Sequence, residues 1–227
     1  MAGQGMEYFV DIAMCIDGTG SMVPIIEEVK NNALTFYQKF VDAMEENDKE
    51  VAQLRVKVIT FRDYAKDAEP MKESEFFVLP DQNEEFATCV NSIEATGGGD
   101  IPENALEAIA LALKSDWTTG GDKRRHVILV FSDAPALPLG ERAGCAGYPA
   151  DMPTMEQLGA WWENTDQSFT GTFQRQAGRL VAFVPNAEPW TDLQAWNRYW
   201  PAFSAAGTGL PNVEIETAID LLVGSIG

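Results

Sequence analysis

The chain has 227 residues, a length that suits one α/β domain with a complete hydrophobic core. Its 35 acidic and 16 basic side chains give a formal net charge of -19. That charge argues against nucleic acid or an anionic membrane as the main partner, because both require a basic protein surface.

Segments typical of strands and of helices alternate along the chain. In chain order, the patterns predict a strand at 8–16, a helix at 22–47, strands at 52–61 and 76–80, helices at 83–93 and 102–116, a strand at 126–131, a helix at 154–164, a strand at 179–184, a helix at 190–200, a short strand near 212–215 and a closing helix at 216–223. The alternation predicts a three-layer, Rossmann-like α/β fold, in which a doubly wound, mostly parallel sheet carries helices on both faces.

No feature of the sequence divides the chain into parts. We find no repeat, no low-complexity tract and no linker, so residues 1–227 are predicted to form a single domain. An irregular segment at about 134–153, rich in Gly, Pro and Ala, follows the strand at 126–131. It is therefore expected to start at the carboxyl edge of the sheet.

The cysteines and the apolar segments bear on where the protein resides. The N-terminus lacks the basic and apolar regions of a signal peptide, and no segment approaches the roughly 18 uninterrupted apolar residues of a membrane span. Cys15, Cys89 and Cys145 are scattered and form no CxxC pair, as is typical of thiols in a reducing compartment. We expect a cytoplasmic protein that does not bind a membrane.

The stretch "CIDGTGSM" places Asp17, Thr19 and Ser21 at alternate positions where a strand becomes a helix. A P-loop needs Lys followed by Ser or Thr after its glycines, and this turn has neither. A dinucleotide-binding turn needs Gly or Ala near position 23, which is Val23. A phosphatase of the haloacid-dehalogenase type would need its nucleophilic Asp at position 15, which is Cys15. A metal site is the remaining interpretation.

Two further carboxylates can complete such a site. Asp100 directly precedes a predicted helix in "TGGGDIPEN", and Asp133 follows the apolar strand in "VILVFSDAP". In open α/β sheets, ligands bind beyond the carboxyl ends of the strands, where the strand order reverses. Hard divalent cations prefer the carboxylate and hydroxyl oxygens that these turns offer.

Each of these side chains also has an ordinary structural explanation. Asp100 is a good helix N-cap, Asp133 is a good turn residue, and the hydroxyls of Thr19 and Ser21 could cap the first helix. Their joint occurrence at these strand ends favours a metal site over four separate structural roles.

Together, the loops "DGTGS", "TGGGDIPEN" and "FSDAP" resemble the metal-ion-dependent adhesion site of von Willebrand factor A (vWA) domains, and the resemblance covers nearly the whole chain. It implies that Asp17, Thr19 and Ser21 match the Asp-x-Ser-x-Ser loop of that family. Asp100 and Asp133 then match the ligands of the second and third loops, around Mg²⁺ or Mn²⁺. The resemblance also implies a six-stranded sheet in which "FFVLP" is one short antiparallel edge strand.

The sequence departs from the family pattern at two positions. Thr19 replaces the usual first Ser and keeps its hydroxyl, whereas Asp100 stands where many adhesive members have Thr. A third carboxylate predicts tighter ion binding and weaker attraction for an acidic ligand. The loop "GGGD" and the segment "TFRDY" (60–64) resemble intracellular and bacterial members more than integrins. Such members often work beside kinases, phosphatases or AAA-type ATPases, which the resemblance implies as partners.

The function favoured by these observations is metal-dependent protein binding, in which Mg²⁺ takes a carboxylate oxygen from a partner protein. One alternative is a metal-dependent enzyme for hydrolysis or phosphoryl transfer, and another is a structural subunit with a vacant site. An enzyme needs a general base and an electrophilic partner near the ion. The nearby loops offer only Glu103 and Arg142, and His126 is the sole histidine of the chain.

Overall fold

A mostly parallel sheet forms the centre of the protein. The computed structural model describes residues 7–98, 102–204, 210 and 213–227. Its strands are β1 (Glu7–Asp17), β2 (Glu50–Phe61), β3 (Met71–Glu73), β4 (Phe77–Leu79), β5 (Lys123–Phe131), β6 (Gly178–Pro185) and β7 (Tyr199–Ser204). They form one 7-stranded sheet in the order β3-β2-β1-β5-β6-β7, with β4 also paired to β2. Strands β3 and β4 run antiparallel to β2, and the other pairs are parallel.

Helices cover both faces of this sheet. They are α1 (Val23–Asn32), α2 (Phe36–Glu45), α3 (Asn83–Asn91), α4 (Ala105–Leu113), α5 (Met155–Trp162) and α6 (Ile215–Ser225). Helices α1, α2, α3 and α6 pack on one face, and α4 and α5 pack on the other. These three layers confirm the predicted fold class. In the described ranges, no helix is long and apolar enough to cross a membrane.

Strand β1 is buried on both sides because it is apolar at consecutive positions. Val10, Ile12 and Met14 belong to the core on one face, and Ala13 and Cys15 belong to the core on the other. Successive side chains of a strand point to opposite faces, so an uninterrupted apolar run suits only a strand covered on both sides. This burial fixes β1 at the centre of the sheet, between β2 and β5.

The connections leave the end of β1 at the point where the strand order reverses. From β1 the chain moves to β2 on one side and later returns to β5 on the other side. Asp17 is the last residue of β1, and Asp133 follows the end of β5 at Phe131. The strands that lead to Asp17 and Asp133 are therefore direct neighbours in the sheet.

The helix predicted at 22–47 is interrupted. Helix α1 ends at Asn32 and α2 begins at Phe36. In the turn between them, the Thr35 hydroxyl donates to the backbone oxygen of Asn32 at 3.2 Å, and the Asn32 side chain donates to the backbone oxygen of Glu28 at 2.9 Å. Such side chains compete with the helical backbone bonds, which explains the break.

The helix predicted at 190–200 is wrong. Only the short 3-10 helix Asp192–Ala195 forms there, and strand β7 follows. Pro201 lacks the N–H that the interior of a helix requires, and a proline is tolerated in an edge strand such as β7. The neighbouring Trp200 is aromatic and suits a half-buried strand equally well.

The short strand predicted near 212–215 is wrong in its described part. Residue 212 lies outside the described residues, residues 213 and 214 have no regular structure, and α6 begins at Ile215. At the other edge of the sheet, β4 is the predicted antiparallel strand, and β3 is a second one that the sequence did not indicate. Its residues, "MKE", are half-buried or exposed and carry no strand-like alternation.

Candidate metal centre

The first loop of the site (residues 17–22) starts from a buried carboxylate. Asp17, at the end of β1, is 0% exposed. Its Oδ1 accepts hydrogen bonds from the Thr19 backbone N–H at 2.9 Å and from the Thr19 hydroxyl at 2.7 Å. Asp favours such local turns, because its side chain can bond the backbone two residues further on. The turn therefore holds the Thr19 oxygen beside the Asp17 carboxylate.

The third loop (residues 132–136) joins the first through side-chain hydrogen bonds. The Ser132 hydroxyl donates to Asp17 Oδ2 at 2.8 Å, and the Ser21 hydroxyl donates to Asp133 Oδ1 at 3.0 Å. The hydroxyl oxygens of Thr19 and Ser21 are 3.3 Å apart. Two carboxylates and three hydroxyls thus form one connected group beyond the carboxyl ends of β1 and β5.

The described part of the second loop (residues 94–98) packs against the first loop. The Thr96 backbone N–H donates to Gly18 O at 3.0 Å, and the Gly20 backbone N–H donates to Gly97 O at 3.4 Å. These bonds align the two backbones side by side. The chain that leads towards the predicted ligand of the second loop therefore runs along the loop that carries the first ligands.

Gly98 permits this close contact. Its φ is +75°, a conformation that L side chains rarely adopt, and a Cβ there would lie 3.0 Å from Thr19 Cβ. Any larger residue would thus push on the side chain of Thr19. Asp100, the ligand predicted from this loop, lies outside the described residues.

The electrostatic environment of Asp17 suits a cation. Burial raises the pKa of Asp17 from 3.8 to about 6, although hydrogen bonds from Thr19 and Ser132 lower it, and the nearby charge of Asp133 raises it further. A divalent ion among these oxygens would offset both the burial and the repulsion. The donor set consists of carboxylate and hydroxyl oxygens, the set that hard ions such as Mg²⁺ and Mn²⁺ prefer, so these residues fit the implied metal.

The structure brings together four of the five predicted ligands, namely Asp17, Thr19, Ser21 and Asp133. The fifth, Asp100, cannot be placed because it is not among the described residues. Within the described ranges, no three His, Cys, Asp or Glu side chains form a group that could hold a metal ion. The described part of this site has two carboxylates, and its other oxygens are hydroxyls. Metal ligation by these residues stays a prediction.

Sequence reasoning missed Ser132. This residue is buried, and its hydroxyl bonds Asp17 across the pair of strands β1 and β5. The available signal was its position directly before Asp133 at a strand end, because side chains there reach the neighbouring strand end.

The comparison with known protein families agrees with this geometry. The family model for the von Willebrand factor A domain matches residues 11–139, which is more than half of the chain. The chain belongs to the vWA family. The matched range contains Asp17 and Asp133, together with the helices and strands between them.

Solved structures share the fold of this vWA chain at low sequence identity. The pilus adhesin SpaC from Lactobacillus rhamnosus GG aligns with a TM-score of 0.57 and 10% identity, over 96% of this chain and 30% of that chain. A von Willebrand factor type A structure from Catenulispora acidiphila aligns with a TM-score of 0.54 and 11% identity, over 97% of this chain and 43% of that chain. This vWA chain therefore spans less than half the length of these structures. Among curated proteins, none matches the sequence.

An ion pair fastens the segment that follows the third loop of the vWA site. Arg142 Nε and Nη2 donate to Asp63 Oδ1 and Oδ2, each at 2.7 Å. Burial raises the pKa of Asp63, but the hydrogen bonds from Arg142 and from the Ala65 backbone N–H, together with the charges of Arg142 and Lys66, outweigh it and the pKa is lowered. Arg142 is therefore engaged in a structural contact. Glu103, the other residue considered for catalysis, is 2% exposed and pairs through its backbone with Ala136.

A second buried carboxylate, Glu107, also bonds the segment that follows the third loop. It is 0% exposed and lies on α4. The Tyr148 hydroxyl donates to Glu107 Oε1 at 2.9 Å, and the Gly140 backbone N–H donates to it at 3.4 Å. Burial raises the pKa of Glu107. No sequence pattern predicts this contact, since Glu107 occupies an ordinary helical position and both donors lie more than thirty residues away.

His126 lies in the half of β5 that is farther from the site. It precedes Asp133 by enough residues to place the two roughly 20 Å apart along the strand direction. His126 Nδ1 accepts from the Gln174 backbone N–H at 3.2 Å, and Nε2 lies 2.9 Å from Thr118 O. Burial lowers the pKa of His126, so the ring is neutral and structural.

Proposed function

We propose that this vWA domain is a divalent-ion-dependent protein-binding module. Asp17, Thr19, Ser21 and Asp133 would hold Mg²⁺ or Mn²⁺, together with Asp100. The observation that carries the proposal is the 3.0 Å contact between Ser21 Oγ and Asp133 Oδ1, since it joins ligand-type oxygens from two loops at one point. An ion held there supplies a coordination position for a carboxylate oxygen of a partner protein.

A protein partner fits the family. vWA domains typically mediate protein–protein or adhesive interactions, and SpaC is described as a pilus adhesin. We propose that residues 1–227 act as one domain and that the partner presents an exposed Asp or Glu. A kinase, a phosphatase or an AAA-type ATPase is the kind of partner that the resemblance to intracellular members implies. The free thiols of Cys15, Cys89 and Cys145 support a cytoplasmic location.

Catalysis by the same ion has less support. A hydrolase or a phosphoryl-transfer enzyme needs a free general base and a free cationic group near the ion. Arg142 donates to Asp63 through two of its three nitrogens, and His126 lies in the half of β5 that is farther from the site. These contacts favour binding over chemistry.

Calorimetry with Mg²⁺ and Mn²⁺ tests ion binding directly. We expect Asp17→Ala and Ser21→Ala to abolish the heat of ion binding with little loss of fold, because each change removes a proposed oxygen ligand of the ion. The matched control is Asp166→Ala. Asp166 Oδ1 accepts from the Ser168 backbone N–H at 2.8 Å and from its hydroxyl at 2.7 Å, which is the same local pattern outside the site. Its loss should leave ion affinity unchanged.

Asp100→Thr tests the proposed third carboxylate. This change removes one negative charge, so Mg²⁺ should bind more weakly, while each bound ion should attract an acidic ligand more strongly. Calorimetry measures the first effect, and capture of a carboxylate-bearing partner at saturating Mg²⁺ measures the second. An unchanged Mg²⁺ affinity would show that Asp100 is only a helix cap.

Affinity capture from the native host, with and without EDTA, tests protein binding. Partners that bind wild type in Mg²⁺, and that are lost with EDTA or with Asp17→Ala, would support the proposal. Absence of any binding heat for divalent ions would refute it and indicate a structural subunit with a vacant site. A hydrolase or phosphatase activity in Mg²⁺ or Mn²⁺ that Asp17→Ala abolishes would favour the enzyme instead.

A further inference from the structure

The segment "FRDY", residues 61–64, connects the loops around the candidate metal centre. It begins with the last residue of β2, the strand next to β1. None of its side chains is among the predicted ligands. Two of them, Arg62 and Asp63, instead make several hydrogen bonds to the surrounding loops.

Arg62 bonds backbone carbonyls from three separate segments. Its Nε donates to Gly18 O at 2.9 Å and to Thr96 O at 3.1 Å. Its Nη2 donates to Glu94 O, and its Nη1 donates to Glu69 O at 3.0 Å. Gly18 belongs to the first loop, and Glu94 and Thr96 belong to the second. One guanidinium group therefore lies between the two loops and bonds both.

The local sequence makes room for this group. A Cβ at position 18 would lie 3.0 Å from Arg62 Cζ, so Gly18 lets the guanidinium approach the backbone of the first loop. A guanidinium is planar and has five N–H donors in fixed directions, whereas a lysine ammonium is a compact charge on a flexible stem. Only arginine can bond these four carbonyls at once.

Asp63 and Tyr64 reach towards the segments on the other side. Asp63 holds Arg142, in the segment that continues from the third loop. The Tyr64 backbone N–H donates to Asn104 Oδ1 at 3.0 Å, directly before α4, and the Tyr64 ring packs edge-on against Tyr148 at 5.0 Å. Consecutive residues of one segment thus contact the first loop, the second loop, the residue before α4 and the segment that follows the third loop.

We propose that Arg62 is a positioning residue of the metal centre. It fixes the separation of the first and second loops, and so the position of Asp17 and its hydroxyl neighbours relative to the loop that carries Asp100. All three of its nitrogens donate to backbone carbonyls, and a guanidinium is cationic and has no acceptor atom, so Arg62 does not itself ligate a metal ion. This inference rests on the proposed ion-binding function and adds the residue on which its geometry depends.

Arg62→Lys is the decisive variant. The ammonium keeps the charge but cannot bond all four carbonyls, so the two loops should separate. Residues that orient metal ligands typically change metal affinity by about 10–100-fold when replaced, and we expect the Kd for Mg²⁺ to rise by about 10-fold or more. In the ion-free protein, exchange of the Thr96 and Gly20 amide hydrogens should also become at least about 10-fold faster, because their acceptors lie in the opposite loop.

Arg55→Lys is the matched control. Arg55 lies in the middle of β2, six residues before the strand ends at Phe61, and it bonds Asp11 Oδ1 and Oδ2 at 2.8 and 2.7 Å. Its replacement should lower the melting temperature without changing the Mg²⁺ affinity or the exchange of the Thr96 amide. A purely structural role for Arg62 would give that same pattern.

Unchanged amide exchange in Arg62→Lys, or faster exchange with unchanged Mg²⁺ affinity, would overturn the proposal. If Arg62→Lys does not fold, Gly18→Ala provides a milder perturbation, since its Cβ displaces the guanidinium by a few tenths of an ångström. It should change both readouts in the same direction, and wild-type values would overturn the proposal. If wild type itself bound no divalent ion, the proposed function would fail, while the amide exchange would still decide whether Arg62 holds the two loops together.

Discussion

Replacing Asp17 by Asn should stabilise the ion-free protein while abolishing ion binding. The Asp17 carboxylate is fully buried, and Asp133 lies close enough to repel it. Asn has nearly the same shape and removes the charge. Its Oδ1 can still accept from Thr19, and its amide group can donate to the hydroxyl of Ser132, which rotates to accept. The variant should therefore keep the fold of the loop and lose only the unfavourable charge.

The magnitude follows from the pKa. Raising the pKa of Asp17 from 3.8 to about 6 costs the ionised fold about 3 kcal/mol at pH 7. Since the folded value lies above the unfolded value, this cost is fully present above pH 6 and disappears as the pH falls to about 4. An amide also brings a second N–H donor into this buried turn, and leaving that donor unpaired takes back about 1–2 kcal/mol. The net gain is about 1–2 kcal/mol, or a rise of about 2–8 °C in melting temperature.

Thermal unfolding in EDTA and in Mg²⁺ measures this effect. In EDTA at pH 7 the variant should melt above wild type, and the difference should shrink towards pH 4. In Mg²⁺ at about 100 times its Kd, wild type gains about 2.7 kcal/mol, the variant gains nothing, and the order reverses. An Asp17→Asn protein that melts below wild type in EDTA would refute the reasoning, because the carboxylate would then stabilise the ion-free fold.

Asp11→Asn is the matched control for that experiment. Asp11 is also a buried carboxylate on β1, with 1% exposure, but both of its oxygens bond Arg55. Removing its charge breaks the ion pair with Arg55, and breaking a buried pair typically costs about 3–5 kcal/mol. The two substitutions on one strand should therefore have opposite signs in EDTA.

Three further predictions concern other parts of the structure. His126→Gln should flatten the pH dependence of the free energy of unfolding. The folded pKa of His126 lies below its unfolded value of about 6.5, so wild type loses stability as the pH falls from about 6.5. Urea titrations at several pH values measure this effect, and an equal dependence of the free energy of unfolding on pH in both proteins would contradict it. Gly98→Ala and Gly140→Ala both place Ala at a positive φ, which lowers the stability of the fold by about 1–3 kcal/mol. Only Gly98→Ala should also raise the Kd for Mg²⁺ in calorimetry, because nothing lies within 4 Å of a Cβ at Gly140. Asp63→Asn should release Arg142 and make the segment 134–153 more sensitive to limited proteolysis, whereas equal cleavage rates would show that the ion pair does not hold the segment.

Much of the sheet and of the candidate site could be predicted because both depend on rules that act along the chain. The apolar runs of β1 and β5 identify central parallel strands, and parallel strands end at one edge. Asp17 and Asp133 follow those two runs, so their proximity required only that the strands be neighbours. The Asp17–Thr19 turn is also local, since the bonding atoms lie two residues apart.

The remaining features depend on contacts without a sequence pattern. The partners of Arg62 are backbone carbonyls, which every residue possesses, so nothing in the amino-acid sequence marks Gly18 or Thr96 as its acceptors. The error at 190–200 has a different origin. Trp200 is compatible with a helix or a strand, but Pro201 is a local signal against a helix that continues to residue 200.

The contact between Ser21 and Asp133 closes a span of 112 residues, and this separation has a consequence for how the protein folds. Contacts between distant parts of a chain form late, because the entropy of closing long loops must be overcome first. Pairing of β1 with β5 has to be complete before the two loops meet, so partly folded chains lack the site. An ion that binds this site consequently binds only the native protein, and it lowers the free energy of the native state without stabilising earlier intermediates. Ion binding would thus slow unfolding far more than it would speed folding.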